Sequence, residues 1–208
     1  MSLFLSCLTL NARHARTRSE LGHPYELHRT ICKAWHDREA ARILHRADQD
    51  RPGVVTVIVQ SLTAPDWSRL DAPPDYLRHI DGPKCIDLEG LKRDQHLRFR
   101  LRCRPSKRIG AKDDKELGKR KALGTKDENF AWLHRKAETG GFAIREAAFD
   151  RVYWYDSKSG VNDKPLGGVV FDGVLVVTDP EKLRQAVRNG IGTQKAFGFG
   201  LLSLAPVR

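Results

Sequence analysis

Residues 166–189 read LGGVVFDGVLVVTDPEKLRQAVRN: a strand-forming run that stops at Asp179-Pro180 and passes into a helical one. Leu166–Thr178 is expected as one arm of a hairpin, and Phe142–Tyr155 as the other. Asp156–Lys164 between them has turn composition. Asp179-Pro180 caps a short helix that runs to about Asn189. Upstream, a helix over about Asp127–Glu138 ends at Gly140-Gly141. Before it, His96–Arg104 alternates strictly. Arg98, Arg100, Arg102 and Arg104 fall on one sheet face, and Phe99, Leu101 and Cys103 on the other. Downstream, a glycine-rich loop leads into a last strand, Phe199–Leu204. The second half therefore reads strand–helix–strand–strand–helix–strand, the ferredoxin-like order.

The first half is less regular. Leu3–Leu10 reads as a strand, and a basic stretch with Arg13, His14, Arg16 and Arg18 follows. Pro24 suits the first position of a helix, and Glu26 suits its dipole. Helical spacing of Leu27, Ile31, Ala34 and Trp35 predicts a helix from Pro24 to about Arg46, broken by Pro52-Gly53. Val54–Leu62 is a β-branched strand. Thr63–Gly90 is rich in Pro, Asp and Gly and reads as loops. A degenerate copy of the second half is compatible with this order, although no internal repeat is visible.

Composition narrows the function classes. The chain has 208 residues, a 40% apolar fraction and a formal net charge of +11, enough apolar content for a core and a bias toward anionic partners, nucleic acid first. The longest apolar run, Val54–Val59, is far too short to span a bilayer, so no membrane partner is expected. The basic residues after Met1–Leu10 stand in the wrong order for a secretory signal. Cys7, Cys32, Cys85 and Cys103 have no C-x-x-C spacing. Reduced thiols in a cytoplasmic protein are the expectation, with no structural zinc. No H-E-x-x-H or D-x-D motif, carboxylate cluster or G-x-S-x-G elbow is present, so neither metal nor cofactor is expected.

Two segments carry chemical interest. In Pro24–Lys33, Tyr25 and His28 are helical neighbours, and Tyr25, Arg29 and Lys33 form a ridge spaced by four. A histidine, a phenol and two cations on one flank are what RNA phosphodiester cleavage uses: a base for the 2′-OH, an acid for the leaving oxygen, and cations for the developing charge. Spacing alone favours instead a histidine packed at the core edge beside an ordinary helix aromatic. In Asn189–Gly200 four glycines, Gly192 among them, let the backbone approach a ligand, and Gln194 and Lys195 lie between them. The order helix–loop–strand excludes a P-loop or Rossmann turn. Lys195–Gly200 is similar to an RNP1 box but precedes the wrong strand. Phe199 is expected in the core. The polar loop from Pro105 to about Lys126, with Lys107, Arg108, Lys119, Arg120 and Lys121, can track phosphates or simply form a solvated surface.

Taken together, Leu8–Asn11, Pro24–Thr30, Gln60–Trp67, Leu97–Lys107 and Gly190–Ser203 resemble the CasE family, the CRISPR repeat-cleaving endoribonucleases of type I-E systems. The resemblance covers nearly the whole chain in order. It implies an α+β protein of two tandem ferredoxin-like (RRM-like) domains. Residues 1–90 would carry the catalytic helix, and residues 91–208 the basic and glycine-rich loops. It implies metal-independent cleavage at the 3′ base of a repeat hairpin, with CRISPR repeat RNA, mature guide RNA and the other Cascade subunits as partners. The family's catalytic residues fall on His28, Tyr25 and Lys33. RNA contacts are expected from Arg13, Arg29, Arg102, Arg104, Lys107, Arg108, Lys119, Arg120, Lys121, Gly192, Gln194 and Lys195. A hairpin near Tyr153–Lys164 adds Lys158. The competing reading is a non-catalytic ribonucleoprotein subunit that only holds its RNA. A DNA-binding regulator has weaker support, because Phe130, Trp132 and Leu133 make the Asp127–Glu138 helix look like core instead of a reading head.

Overall fold

A computed structural model describes residues 3–108, 120–154 and 166–207. Lys119, Lys158 and the expected hairpin turn at 156–164 lie outside the described residues. The chain is a mixed α and β protein with two four-stranded antiparallel sheets.

The first sheet contains β1 (Leu3–Asn11), β2 (Leu44–Arg51), β3 (Val54–Ser61) and β4 (Leu77–Ile86), in the order β2-β3-β1-β4. Helices α1 (Ala15–Gly22), α2 (Pro24–Ile31) and α3 (Arg38–Ala41) connect β1 to β2. The second sheet contains β5 (His96–Cys103), β8 (Phe142–Trp154), β9 (Leu166–Val177) and β10 (Leu202–Pro206), in the order β10-β5-β9-β8. Helix α4 (Lys126–Thr139) joins β5 to β8, and α5 (Pro180–Asn189) joins β9 to β10. Between β5 and α4, β6 (Ser106–Arg108) and β7 (Arg120–Ala122) form a short ribbon within the expected basic loop. Thr125 and Glu128 make a reciprocal capping box that starts α4, and the Asp179 side chain accepts from Lys182 N to start α5.

Two predicted elements are corrected. The helix expected to run from Pro24 to about Arg46 ends at Ile31. A 3₁₀ turn over Cys32–Ala34 follows, and Trp35 is fully extended at φ −129°, ψ 141°. Asp37 then caps the one-turn α3 through Ala40 N, and Arg42 in the left-handed region ends it. Leu44, His45 and Arg46 are consequently on a strand. The second correction concerns Thr63–Gly90, read as loops, which holds the ten-residue β4. Gly82 and Pro83 sit where the β1–β4 register slips between Leu5 and Cys7. β4 is an edge strand, where a proline's missing N–H leaves no ladder bond unmade. The last strand starts at Leu202, three residues later than expected, while Phe199 is fully buried as expected.

Each sheet has its own apolar core. Leu8, Leu10, Leu27, Ile31, Trp35, Val55, Val57 and Tyr76 fill the first. Leu97, Phe99, Leu101, Trp132, Phe171, Leu175 and Leu183 anchor the second, which also takes in Leu3 and Leu88. Polar bonds tie the halves together. Arg46 donates to Ser203 Oγ at 2.8 Å, Arg102 to the Ala47 carbonyl at 2.8 Å, and Gln60 Nε2 to the Val187 carbonyl at 2.8 Å. This seam carries the site.

Candidate active site

Helix α2 is anchored before it presents anything. Thr30, on its buried face, donates to Glu20 Oε1 at 2.6 Å and accepts from Arg16 at 2.9 Å. Tyr76 donates to the other Glu20 oxygen. A buried carboxylate with three donors ties α1, α2 and the start of β4 into one unit, since each bond would otherwise leave a costly buried polar group. The opposite flank of α2 then displays Tyr25, half exposed, and His28 into a cleft of about 440 Å³. Arg29, Arg38, Arg42 and Lys195 also line that cleft, against the single carboxylate of Glu39.

The glycine-rich loop forms the far wall. Ile191 N donates to the Gly200 carbonyl at 2.8 Å, closing the loop on itself, and Gly200 N donates to the Arg102 carbonyl at 2.7 Å, fixing it to β5. Gly190 is required where it stands: its φ is +70°, and a β-carbon there would come within 2.8 Å of the Leu44 side chain. Within the loop a 3₁₀ turn over Lys195–Phe197 packs on α2 and β2, so the Phe197 ring lies 5.9 Å from that of Tyr25. The loop belongs to the second half and α2 to the first. The cleft therefore exists only where the two halves meet.

His28 is closely surrounded. Its ring lies 6.1 Å from Tyr25 and stacks on His45 at 5.5 Å, with planes 20° apart. Cys32 Sγ is 3.5 Å from its Nε2. Burial, and then the charge of Arg38, lowers the His28 pKa below the ordinary histidine value. The imidazole is thus neutral at physiological pH and able to take a proton. Burial and Arg42 likewise lower the Lys195 ammonium below its usual value, so this lysine of the same cleft gives up a proton more readily than a solvated one. Burial raises the Cys32 thiol, which leaves it a poor nucleophile.

The expected site residues separate into groups. His28, Tyr25, Arg29 and Lys195 come together in the cleft, with Arg29 also bonded to Glu26 at 3.1 Å. Lys33 is not among the residues lining the cleft; its ammonium pairs with Asp71 at 3.4 Å. Arg102 sits in the seam, where burial lowers its pKa to about 10, and Arg104 donates to Gln194 Oε1 at 3.1 Å, bracing the glycine loop. Gly192, at φ +90°, places its backbone against Trp132. Lys107, Arg108, Arg120 and Lys121 are exposed on the β6–β7 ribbon, with Lys107 held by Glu128 at 2.9 Å. Arg13 is exposed beyond the end of β1. Residues that spacing did not suggest are His45, Arg38 and Arg42. Recognising β2 would have shown His45 facing inward, and Asp37 was a legible cap that would have separated α3.

Among the described residues no three of His, Cys, Asp and Glu are placed to hold a metal ion, and no helix is long and apolar enough to cross a membrane. Fold and site define an α and β double-sheet protein with a cationic, histidine-centred cleft at its seam. Comparison with known proteins then places it. Residues 3–206 match the family described as CRISPR associated protein. The chain is 39% identical to the CRISPR-associated endoribonuclease Cse3 of Thermus thermophilus, over 98% of this chain and 100% of that one. It is 30% identical to the CRISPR system Cascade subunit CasE of Escherichia coli K12, covering 88% and 92% of the two chains. Thermus thermophilus Cse3 bound to an RNA representing a pre-cleavage complex has the same fold, with TM-score 0.86, 37% identity and coverage of 99% and 100%. The chain belongs to the CRISPR-associated protein family, as its motifs led us to expect.

Proposed function

We propose that this chain is a CRISPR repeat-processing endoribonuclease that cleaves at the 3′ base of the repeat hairpin without a metal ion and stays on the mature guide RNA as a Cascade subunit. The relatives support the reaction class and the assembly: one is an endoribonuclease, solved with RNA before cleavage, and another is a Cascade subunit. The observation that carries the chemistry is a neutral His28 at the centre of a cleft lined by four cations. We place the protein in the cytoplasm, in keeping with four cysteines that are all free thiols.

The chemistry follows from the groups present. The 2′-oxygen next to the scissile phosphate is a tethered nucleophile, with the entropy advantage of an intramolecular attack. His28 accepts its proton, and Arg38, Arg42 and Lys195 neutralise the charge that builds on phosphorus. Tyr25 or the acidified Lys195 supplies a proton to the departing 5′-oxygen. Lys33 joins this set on leaving Asp71. An exposed ion pair is worth little, so an RNA phosphate can displace the carboxylate.

The architecture we propose is two ferredoxin-like domains, divided near residue 90. Support comes from the strand orders, β2-β3-β1-β4 and β10-β5-β9-β8, each the antiparallel order of that unit. In the first half the second crossover helix is reduced to a 3₁₀ turn at Trp67–Arg69.

The test is a repeat hairpin carrying one 2′-deoxy nucleotide just 5′ of the cut, assayed in EDTA beside the all-ribo substrate and beside His28→Ala. The all-ribo RNA is expected to be cut in EDTA, the deoxy RNA to bind and stay intact, and His28→Ala to lose about 10²–10⁴ in rate. Cleavage of the deoxy RNA at the normal rate would mean that water or a protein group attacks. All-ribo RNA left intact in EDTA but cut once Mg²⁺ is restored would mean a metal-dependent reaction; RNA left intact in both would leave a protein that only holds its guide.

A further inference from the structure

The side chain of His45 points from β2 into the seam, beneath α2. It is 1% exposed. Above it lies the His28 ring, with centroids 5.5 Å apart and planes 20° apart. Beside it is Gly198, where even a β-carbon would come within 3.5 Å of His45 Nε2. Neither ring nitrogen has a hydrogen-bond partner among the described residues. Burying two polar atoms without partners is unfavourable, so the ring is not held there by bonds of its own. What it does contribute is a flat surface against His28.

Such a surface answers a specific need. The χ2 torsion of a histidine has broad, roughly two-fold minima, so the chain itself does not set the plane of the ring. A catalytic imidazole must nevertheless aim one nitrogen at one oxygen. The Cys32 contact lies nearly equidistant from both ring nitrogens, at 3.5 Å and 3.7 Å, and does not choose between them. The Tyr25 ring is tilted by 37° and half exposed, so it leaves the plane adjustable. His45 is the near-parallel, buried partner.

We propose that His45 is a positioning residue: its ring is the floor that sets the plane of the His28 imidazole. The inference rests on the reading of His28 as the catalytic group. Charge does not oppose the stack. Burial first, and then His28 and Arg102, push the His45 pKa down to about 3, so the lower ring is neutral whenever the upper one takes a proton. Ring shape, not nitrogen chemistry, is therefore the property that matters.

Two substitutions of the full chain separate these properties. His45→Phe keeps a flat ring and discards both nitrogens; His45→Leu fills the space without a plane. Single-turnover cleavage of repeat RNA at saturating enzyme is measured for both, with RNA affinity and thermal melting, and His28→Ala is run alongside. We expect His45→Leu to lose about 10²-fold in rate, the scale of a misplacement near the reacting centre, with affinity unchanged. His45→Phe should cleave at close to the wild-type rate. Full activity in His45→Leu overturns the proposal, as does loss of cleavage in a folded His45→Phe, which would assign the role to the nitrogens. An affinity loss in His45→Leu that matches its rate loss overturns it too. If His45→Leu does not fold, His45→Phe decides alone. An active His28→Ala removes the underlying reading instead; an inactive His28→Ala beside a fully active His45→Leu removes only this inference.

Discussion

His45→Phe removes a buried titratable ring and leaves its space filled, so comparing the variant with the parent between pH 7 and pH 5 isolates a single proton. In the unfolded chain that proton binds at the ordinary histidine value of 6.5; in the folded chain it binds at about 3. Between those values the unfolded state holds more protons, so acid favours unfolding and stability falls as pH drops. The loss begins near pH 6.5 and continues down to the folded value. At pH 5 it amounts to about 2 kcal/mol, some 1.5 pH units at about 1.4 kcal/mol each. For a chain of this length that is about 4–8 °C in Tm. His28 shifts in the same direction but is present in both proteins. The surface carboxylates of Asp66, Asp81, Glu128, Asp179 and Glu181 are held low by their partners and are likewise common to both. Urea or thermal unfolding of the two proteins at pH 7, 6 and 5 is the assay. The parent is expected to lose stability relative to His45→Phe across that interval. A difference between the two that is the same at pH 5 as at pH 7 would show that His45 is solvated or partnered in the folded protein, and the account of the seam would be wrong.

Two further outcomes test the RNA contacts. Lys33→Ala should slow cleavage by about ten-fold or more, as loss of a cation at the developing charge does. Asp71→Ala only releases that ammonium and should leave the rate unchanged, and equal losses in both variants would make the pair structural. Replacing Arg108, Arg120 and Lys121 together by Ala should reduce the slope of log affinity against log salt by about 2, at about 0.7 for each lost single-strand phosphate contact; an unchanged slope returns the β6–β7 ribbon to solvated surface.

The elements that were legible in the sequence are those whose local chemistry agrees with their packing. β5 alternates arginine with apolar residues because one face meets a core, and Leu97, Phe99, Leu101 and Cys103 are all buried. α5 starts at Asp179-Pro180 because the cap and the proline suit the same turn. β4 was hidden because Asp81, Gly82 and Pro83 look like a turn; only its place at the sheet edge permits them. His45 was hidden for a related reason. Ala34 and Trp35 prolong a helical pattern past the true end of α2, and the strand that turns His45 inward disappears inside it.

Lys33 shows how far a spacing argument can carry a catalytic assignment. The ridge of Tyr25, Arg29 and Lys33 assumes an α-helix that advances 100° per residue. After Ile31 the chain tightens to a 3₁₀ turn at Cys32–Ala34, which advances 120° per residue. Two such steps rotate Lys33 by about 40° beyond the ridge, toward Asp71 and off the flank that Tyr25 and His28 share. Lys195, which does line that cleft, comes 162 positions after Lys33 in the sequence, on a loop of the other half. No periodicity within one element can report such a residue. It becomes visible only when the seam closes, and the same closure places His45 beneath His28.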